Sequence, residues 1–179
     1  MQAQDILQFW FVELSAQQRF SKDAVLDTQM RERFGSVLQA ASRGELFTWR
    51  TTPQGRLAEI VVLDQFSRNI HRDTAAAFAQ DAQALTLAQE LVASGQDYVL
   101  EPARRVFAYM PYMHSESPLI HAQAMALFAQ PGMESTLDYE RRHKAIIDQF
   151  GRYPHRNALL GRVSTPQELE FLRGPGSSF

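Results

Sequence analysis

The chain has no cysteine among its 179 residues. That excludes a disulfide framework, a thiolate zinc site, an iron–sulfur cluster and a cysteine nucleophile together. Long hydrophobic runs are also missing. Stretches such as Ile60-Val61-Val62-Leu63 fall far short of the roughly 20 apolar residues that span a bilayer, so no membrane partner is expected. The first residues, around Gln2, Gln4, Asp5 and Gln8, carry no basic region of the kind that opens a secretory signal, and a cytoplasmic location is the expectation. Lysine is scarce: 16 of the 18 basic residues are arginine, leaving only Lys22 and Lys144. A net charge of −2 argues against nucleic acid as a partner, because a surface that attracts it throughout is strongly basic.

What is present reads as one globular domain. Hydrophobic residues are 45% of the chain and charged residues 21%, a balance that supports a packed core. Apolar residues recur at helical spacing almost throughout, and proline and glycine punctuate the ends, so the expectation is an all-α fold of about eight helices over residues 1–173. Residues 174–179 form an expected frayed tail. Helices are expected over about 3–14, from an N-cap at Ser21 to about 42 with Val25, Met30, Phe34 and Val37 or their neighbours inward, and from Thr52-Pro53 to Asp64. Others are expected over about 74–94, from Pro102, from Ser117-Pro118 and over about 134–150, where Gly151 takes the left-handed stop. The last opens on Thr165-Pro166-Gln167-Glu168, a capping box.

Two strings echo one another. Asp64-Gln65-Phe66-Ser67-Arg68-Asn69-Ile70-His71-Arg72 and Asp148-Gln149-Phe150-Gly151-Arg152-Tyr153-Pro154-His155-Arg156 share six of nine positions, and each ends an expected helix. In both, Asp at i and Arg at i+4 can meet near the helix end. The segment between Arg141 and Arg162 is locally cationic, with six basic residues and Asp148 as the single acid.

The most unusual local string is Met110-Pro111-Tyr112-Met113-His114-Ser115-Glu116. Proline within a helical pattern should kink or end the helix and leave His114 and Glu116 in a bend. There they suit a general acid/base pair, since His titrates near neutrality and a carboxylate fixes its tautomer; the alternative is a structural His and a helix-capping Glu. His71, His114, Glu116, His143 and His155 supply enough atoms for a metal, but no HExxH and no His pair at i, i+4 occurs, so no metal is expected. No phosphate-cradling loop appears, and no cofactor is expected.

Four strings together resemble a known family: residues 7–11 (LQFWF), 63–72 (LDQFSRNIHR), 107–116 (FAYMPYMHSE) and 150–165 (FGRYPHRNALLGRVST). They are similar to domain-of-unknown-function family 924, a mainly bacterial group. The resemblance implies a tetratricopeptide-like all-helical fold built from antiparallel helix pairs, and it implies no established reaction. Where that family usually has proline after the DQF string, this chain has Ser67.

The functional expectation joins these threads. If the two echoed strings meet in space, Arg68, Asn69, His71 and Arg72 from one, with Arg152, Arg156, Asn157 and Arg162 from the other segment, line a cleft for a small anionic ligand. His114 with Glu116, or His155, then handles a proton. The competing expectation is a protein-interaction module that offers a peptide a concave helical groove.

Overall fold

A computed structural model describes residues 1–177. The described residues form helices and turns, without a strand, and none of those helices is long and apolar enough to cross a membrane. The chain opens with α1 (Ala3–Gln8), which runs straight into a π-helical turn at Phe9–Glu13. α2 (Ala16–Phe20) follows, a short helix that periodicity alone does not reveal; its signal is local, a capping box between Ser15 and Gln18. In α3 (Ala24–Ser42) the cap is Asp23, not Ser21: its carboxylate accepts from the backbone N–H groups of Val25 and Leu26 at 2.9 and 3.1 Å. That start leaves Val25 exposed and turns Leu26 inward, with Met30, Phe34 and Val37 buried as expected.

α4 (Pro53–Val61) begins as read, with Thr52 accepting from the Gly55 N–H and Pro53 in the first turn. It continues without a break through a second π-helical turn, Val62–Phe66, into α5 (Ser67–Ile70). The run is the spine of the molecule. Leu57, Ile60, Val61, Val62, Leu63 and Phe66 have no exposed surface, each contributing roughly 1.5–3 kcal/mol relative to exposure. α1, α6 and α7 pack on α4, while α3 packs on the π turn and α5. Around Phe66 the core is aromatic: Phe34 lies at 4.9 Å, Trp10 at 5.7 Å and Phe9 at 5.9 Å between ring centroids.

The expected helix over 74–94 is split. A 3-10 turn at Ala75–Phe78 precedes α6 (Asp81–Ala93), and Asp73 takes a left-handed φ of 59° at the bend between α5 and that turn. α7 (Pro102–Met113) contains Pro111 and ends within three residues of it. α8 (Pro118–Phe128) and α9 (Glu134–Phe150) complete the bundle, and Gly151 stops α9 at φ 67°. α10 (Pro166–Leu172) opens on the expected capping box. Its Phe171 meets Phe150 in a small second core with Ile146, Ile147 and Tyr153. In the tail, Ser177 is buried and donates to the Leu172 carbonyl at 3.2 Å; Ser178 and Phe179 lie outside the described residues.

Gly55 marks the tightest approach in the spine: a Cβ there would stand 2.0 Å from the Trp49 carbonyl oxygen. Gly55→Ala is therefore expected to destabilise the protein by about 2 kcal/mol, lowering Tm by roughly 4–8 °C in a thermal melt. An unchanged Tm would refute this reading of the contact.

Candidate functional site

The π turn at Val62–Phe66 widens the spine and places a carboxylate in its interior. Asp64 has no exposed surface. Its Oδ1 accepts from His114 Nδ1 at 2.7 Å and faces Arg68 Nη1 at 3.1 Å, and the Gln65 amide donates to Oδ2. Burial opposes ionisation of Asp64, yet Arg68, His114 and Gln65 together hold its carboxyl well below the usual range. The His114 imidazole is lowered by burial and by Arg68 against the pull of Asp64, so the ring is neutral near pH 7. With Nδ1–H donated to an ionised carboxylate, Nε2 carries the lone pair. The His114 side chain keeps 15% of its surface, which leaves Nε2 as the ring nitrogen free to face solvent.

Two guanidiniums flank this dyad. Arg68 sends Nη1 and Nη2 to the two carboxylate oxygens of Asp81 at 2.9 and 3.1 Å. Arg156 donates to Asp81 Oδ2 and to the His114 carbonyl, each at 3.1 Å. The Phe78 ring lies 4.5 Å from the Arg156 guanidinium and 5.7 Å from that of Arg68. The echoed strings thus do meet, through Arg68 of one and Arg156 of the other, with Asp81 between them.

Other members of the expected cleft lie elsewhere. Glu116 is not the partner of His114. Its carboxylate takes both terminal nitrogens of Arg162, at 2.6 and 3.0 Å, and the Tyr153 N–H at 2.7 Å, tying the loop after α7 to the segment after α9. Arg152 grips Glu168 at 2.6 and 2.8 Å and the Val163 carbonyl at 3.0 Å, so it clamps the capping box of α10. Asn157 is buried beside it and donates to Ser164. Asn69 and Arg72 both donate to Asp27 of α3, and His71 is exposed at the end of α5. His155 is partly buried next to the Tyr153 ring, 5.5 Å away, and burial with the nearby Arg156 lowers it to about 4. Among the described residues no group of three His, Cys, Asp or Glu side chains is arranged for a metal.

A family model for bacterial proteins of unknown function, DUF924, matches residues 6–176. The chain belongs to the DUF924 family. A solved structure of a protein of unknown function from Agrobacterium tumefaciens is similar to it at 37% identity, with a TM-score of 0.91 over 96% of this chain and 97% of that one. No curated protein matches. Membership and this likeness bring a fold, and the chemistry rests on the residues of this DUF924 chain.

Sequence reading gave Asp64 no role beyond its pairing with Arg68, and it missed Asp81, Tyr153, His121 and Glu140. Asp81 gave no signal beyond its place in an expected helix. Tyr153 donates its hydroxyl to the Met113 carbonyl at 2.5 Å and is fully packed, and its phenol is pushed far up by burial. His121 and Glu140 face each other across α8 and α9, Nδ1 to Oε1 at 2.7 Å, both without exposed surface. His121 Nε2 also reaches the Ser115 carbonyl at 2.8 Å, so this pair pins the loop that carries His114. Burial pushes the Glu140 carboxyl up against the pull of His121, and its Oε2 has no hydrogen-bond partner among the described residues. The one available signal was that α8 is otherwise uncharged between Glu116 and Glu134, which makes an inward His there stand out.

Arg152→Ala is expected to lower thermal stability by about 1–3 kcal/mol, because it leaves the buried Glu168 carboxylate unpaired. Protection of α10 amides in hydrogen exchange should drop with it, and intact protection would refute the clamp. Acid should also destabilise the fold before carboxylates titrate. Burial lowers His143 to about 3 and His155 to about 4, while the unfolded chain takes up those protons near 6.5. Their stabilisation is complete above that value and is lost as pH falls toward 4, at on the order of 1–2 kcal/mol per pH unit, with Glu140 offsetting part of it. A flat denaturant midpoint between pH 6.5 and 4.5 would contradict this.

Proposed function

We propose that this protein binds a small anionic molecule at the Asp64–His114 dyad and exchanges a proton with it through His114 Nε2. The observation that carries the reading is the convergence of three elements on one partly open point. An ionised, buried carboxylate orients a neutral imidazole, Arg68 pairs with that carboxylate, and Arg156 donates to the backbone carbonyl of His114. A neutral His whose tautomer is set by a carboxylate is the arrangement of a general base. Guanidiniums next to it bind the anion and stabilise charge that develops there. Asp64 and the His121–Glu140 pair act on the ligand through His114 and its loop, as positioning residues.

A second reading is favoured by a separate surface. Between α6 and α8 an open groove of about 450 Å³ is floored by Val92, Ala93, Tyr112, Ala126 and Leu127, the kind of apolar channel in which a tetratricopeptide-like module receives a peptide. The groove lacks convergent charge, whereas the dyad combines orientation, charge and access, and it is the dyad that we take as the functional centre.

The test is nuclear magnetic resonance of the full chain with labelled histidine. At neutral pH His114 should be the Nδ1–H tautomer, and small carboxylates or phosphates should shift its ring signals. Arg156→Gln should weaken that response by about tenfold or more, while His114→Asn retains anion binding measured calorimetrically. Ring signals that ignore every anion would remove the reading.

A further inference from the structure

The anion seat beside His114 already holds a carboxylate, and it belongs to the chain itself. Asp81 is the first residue of α6, where a carboxylate usually serves its own helix; here both of its oxygens are turned to Arg68 and a third bond comes from Arg156. The Asp81 side chain keeps 18% of its surface, so this contact lies at the mouth of the site and not beneath it.

We propose that Asp81 is an internal occupant of a carboxylate seat, and that the ligand of this site is a small monocarboxylate that takes its place on Arg68 and Arg156. This rests on the anion-binding reading given above. The class of anion follows from shape and charge. Arg68 presents two N–H groups side by side to two oxygens, which fits a planar carboxylate, and the Phe78 ring covers the guanidiniums from one side. The polar contacts of Asp81 supply donors for two oxygens, with none arranged for the third oxygen of a phosphate. Of the two guanidinium charges, one is balanced by buried Asp64, so one negative charge remains to be supplied. A monoanion matches that, and a dianion would set excess charge against Asp64.

The connection that carries Asp81 is built to release it. Past Arg72, which is paired with Asp27 of α3, residues 73–80 form a strap whose own hydrogen bonds are local, from Thr74 to His71, Ala77 to Thr74 and Ala79 to Ala76. Gln80, which precedes α6, makes no side-chain cap. The strap is anchored by the buried Ala77 and by Phe78 and Asp81 on the guanidiniums. Displacing the Asp81 carboxylate by another therefore exchanges one ion pair for an equivalent one and disturbs few other bonds. Affinity for an external carboxylate is reduced by the strength of this internal competitor.

The experiment compares the full-length wild type with Asp81→Asn, using sodium acetate and inorganic phosphate as probes at ionic strength matched with sodium chloride, and the His114 ring signals as readout. Asparagine fills the same space, so acetate still has to move the strap aside, and only the competing charge is gone. Acetate should bind Asp81→Asn about tenfold or more tightly than wild type, phosphate should gain clearly less, and adding Arg156→Gln should abolish the gain. Asp81→Ser, which also suits a helix start, gives the same comparison if the asparagine variant folds poorly. Equal acetate affinities in wild type and variant, with His114 responding in both, overturn the internal occupant and leave the anion site standing. An equal gain for phosphate overturns the carboxylate class. Silence of His114 toward both anions in every variant overturns the anion site as well.

Discussion

Taking an ionised carboxylate out of water costs several kcal/mol unless charge and hydrogen bonds surround it, and Asp64 sits with no exposed surface in the longest buried run of the chain. Much of the polar architecture answers that one demand. Arg68 comes from the next turn of the same spine, His114 from the loop after α7, and Gln65 from the adjacent position. Arg68 in turn needs Asp81 from α6, and Asp81 draws in Arg156 from beyond α9. Elements far apart in sequence are thereby tied to one point. Removing the charge at position 64 would leave His114 without its orienting partner and Arg68 with an unbalanced neighbour.

The arginines show how little residue type says about role. Arg50 forks onto buried Glu59, Arg72 onto Asp27, Arg152 onto Glu168 and Arg162 onto Glu116. These four hold elements together, and each carboxylate partner comes from the helix or loop that the arginine must secure. Arg68 and Arg156 differ because both share a single carboxylate that is partly open to solvent, beside a histidine with a directed lone pair. The echoed strings make the same point. Asp64 pairs with Arg68 as the i, i+4 spacing suggests, but Asp148 pairs with Lys144 at 2.6 Å, because Gly151 ends α9 and swings Arg152 out toward Glu168. One glycine in the left-handed conformation is enough to redirect the arginine after it.

The loop between α7 and α8 shows how the scaffold keeps the site in place. His121 and Glu140 lie behind the loop and Tyr153 beneath it, so that the carbonyls of Met113 and Ser115, on either side of His114, are both hydrogen-bonded from the interior. Arg156 takes the His114 carbonyl itself at 3.1 Å. Three successive backbone acceptors are thus held, which fixes the ring whose Nδ1 meets Asp64. Such satisfaction of loop carbonyls is what a buried turn requires, and here it doubles as the orientation of the candidate base.

By itself the sequence determined the helical class, most helix starts, the stop at Gly151 and the end of α7 just past Pro111, because apolar periodicity, capping residues and backbone-restricted residues act within a few positions of one another. It also singled out Arg68, Arg156 and His114, through an internal echo and a proline-broken helix. Local rules misplaced the start of α3 and overlooked α2, where short polar caps outweigh periodicity, and joined the turn at Ala75–Phe78 to α6. What only the tertiary structure decided is which charge meets which: that His114 answers to Asp64 and not to Glu116, that Asp81 stands between the two arginines, and that Arg152 serves α10. The reason is physical. A carboxylate two residues away along a bend and one 50 positions away look equally available until packing sets the distances, and the strength of an ion pair depends on distance and burial, neither of which a linear sequence contains.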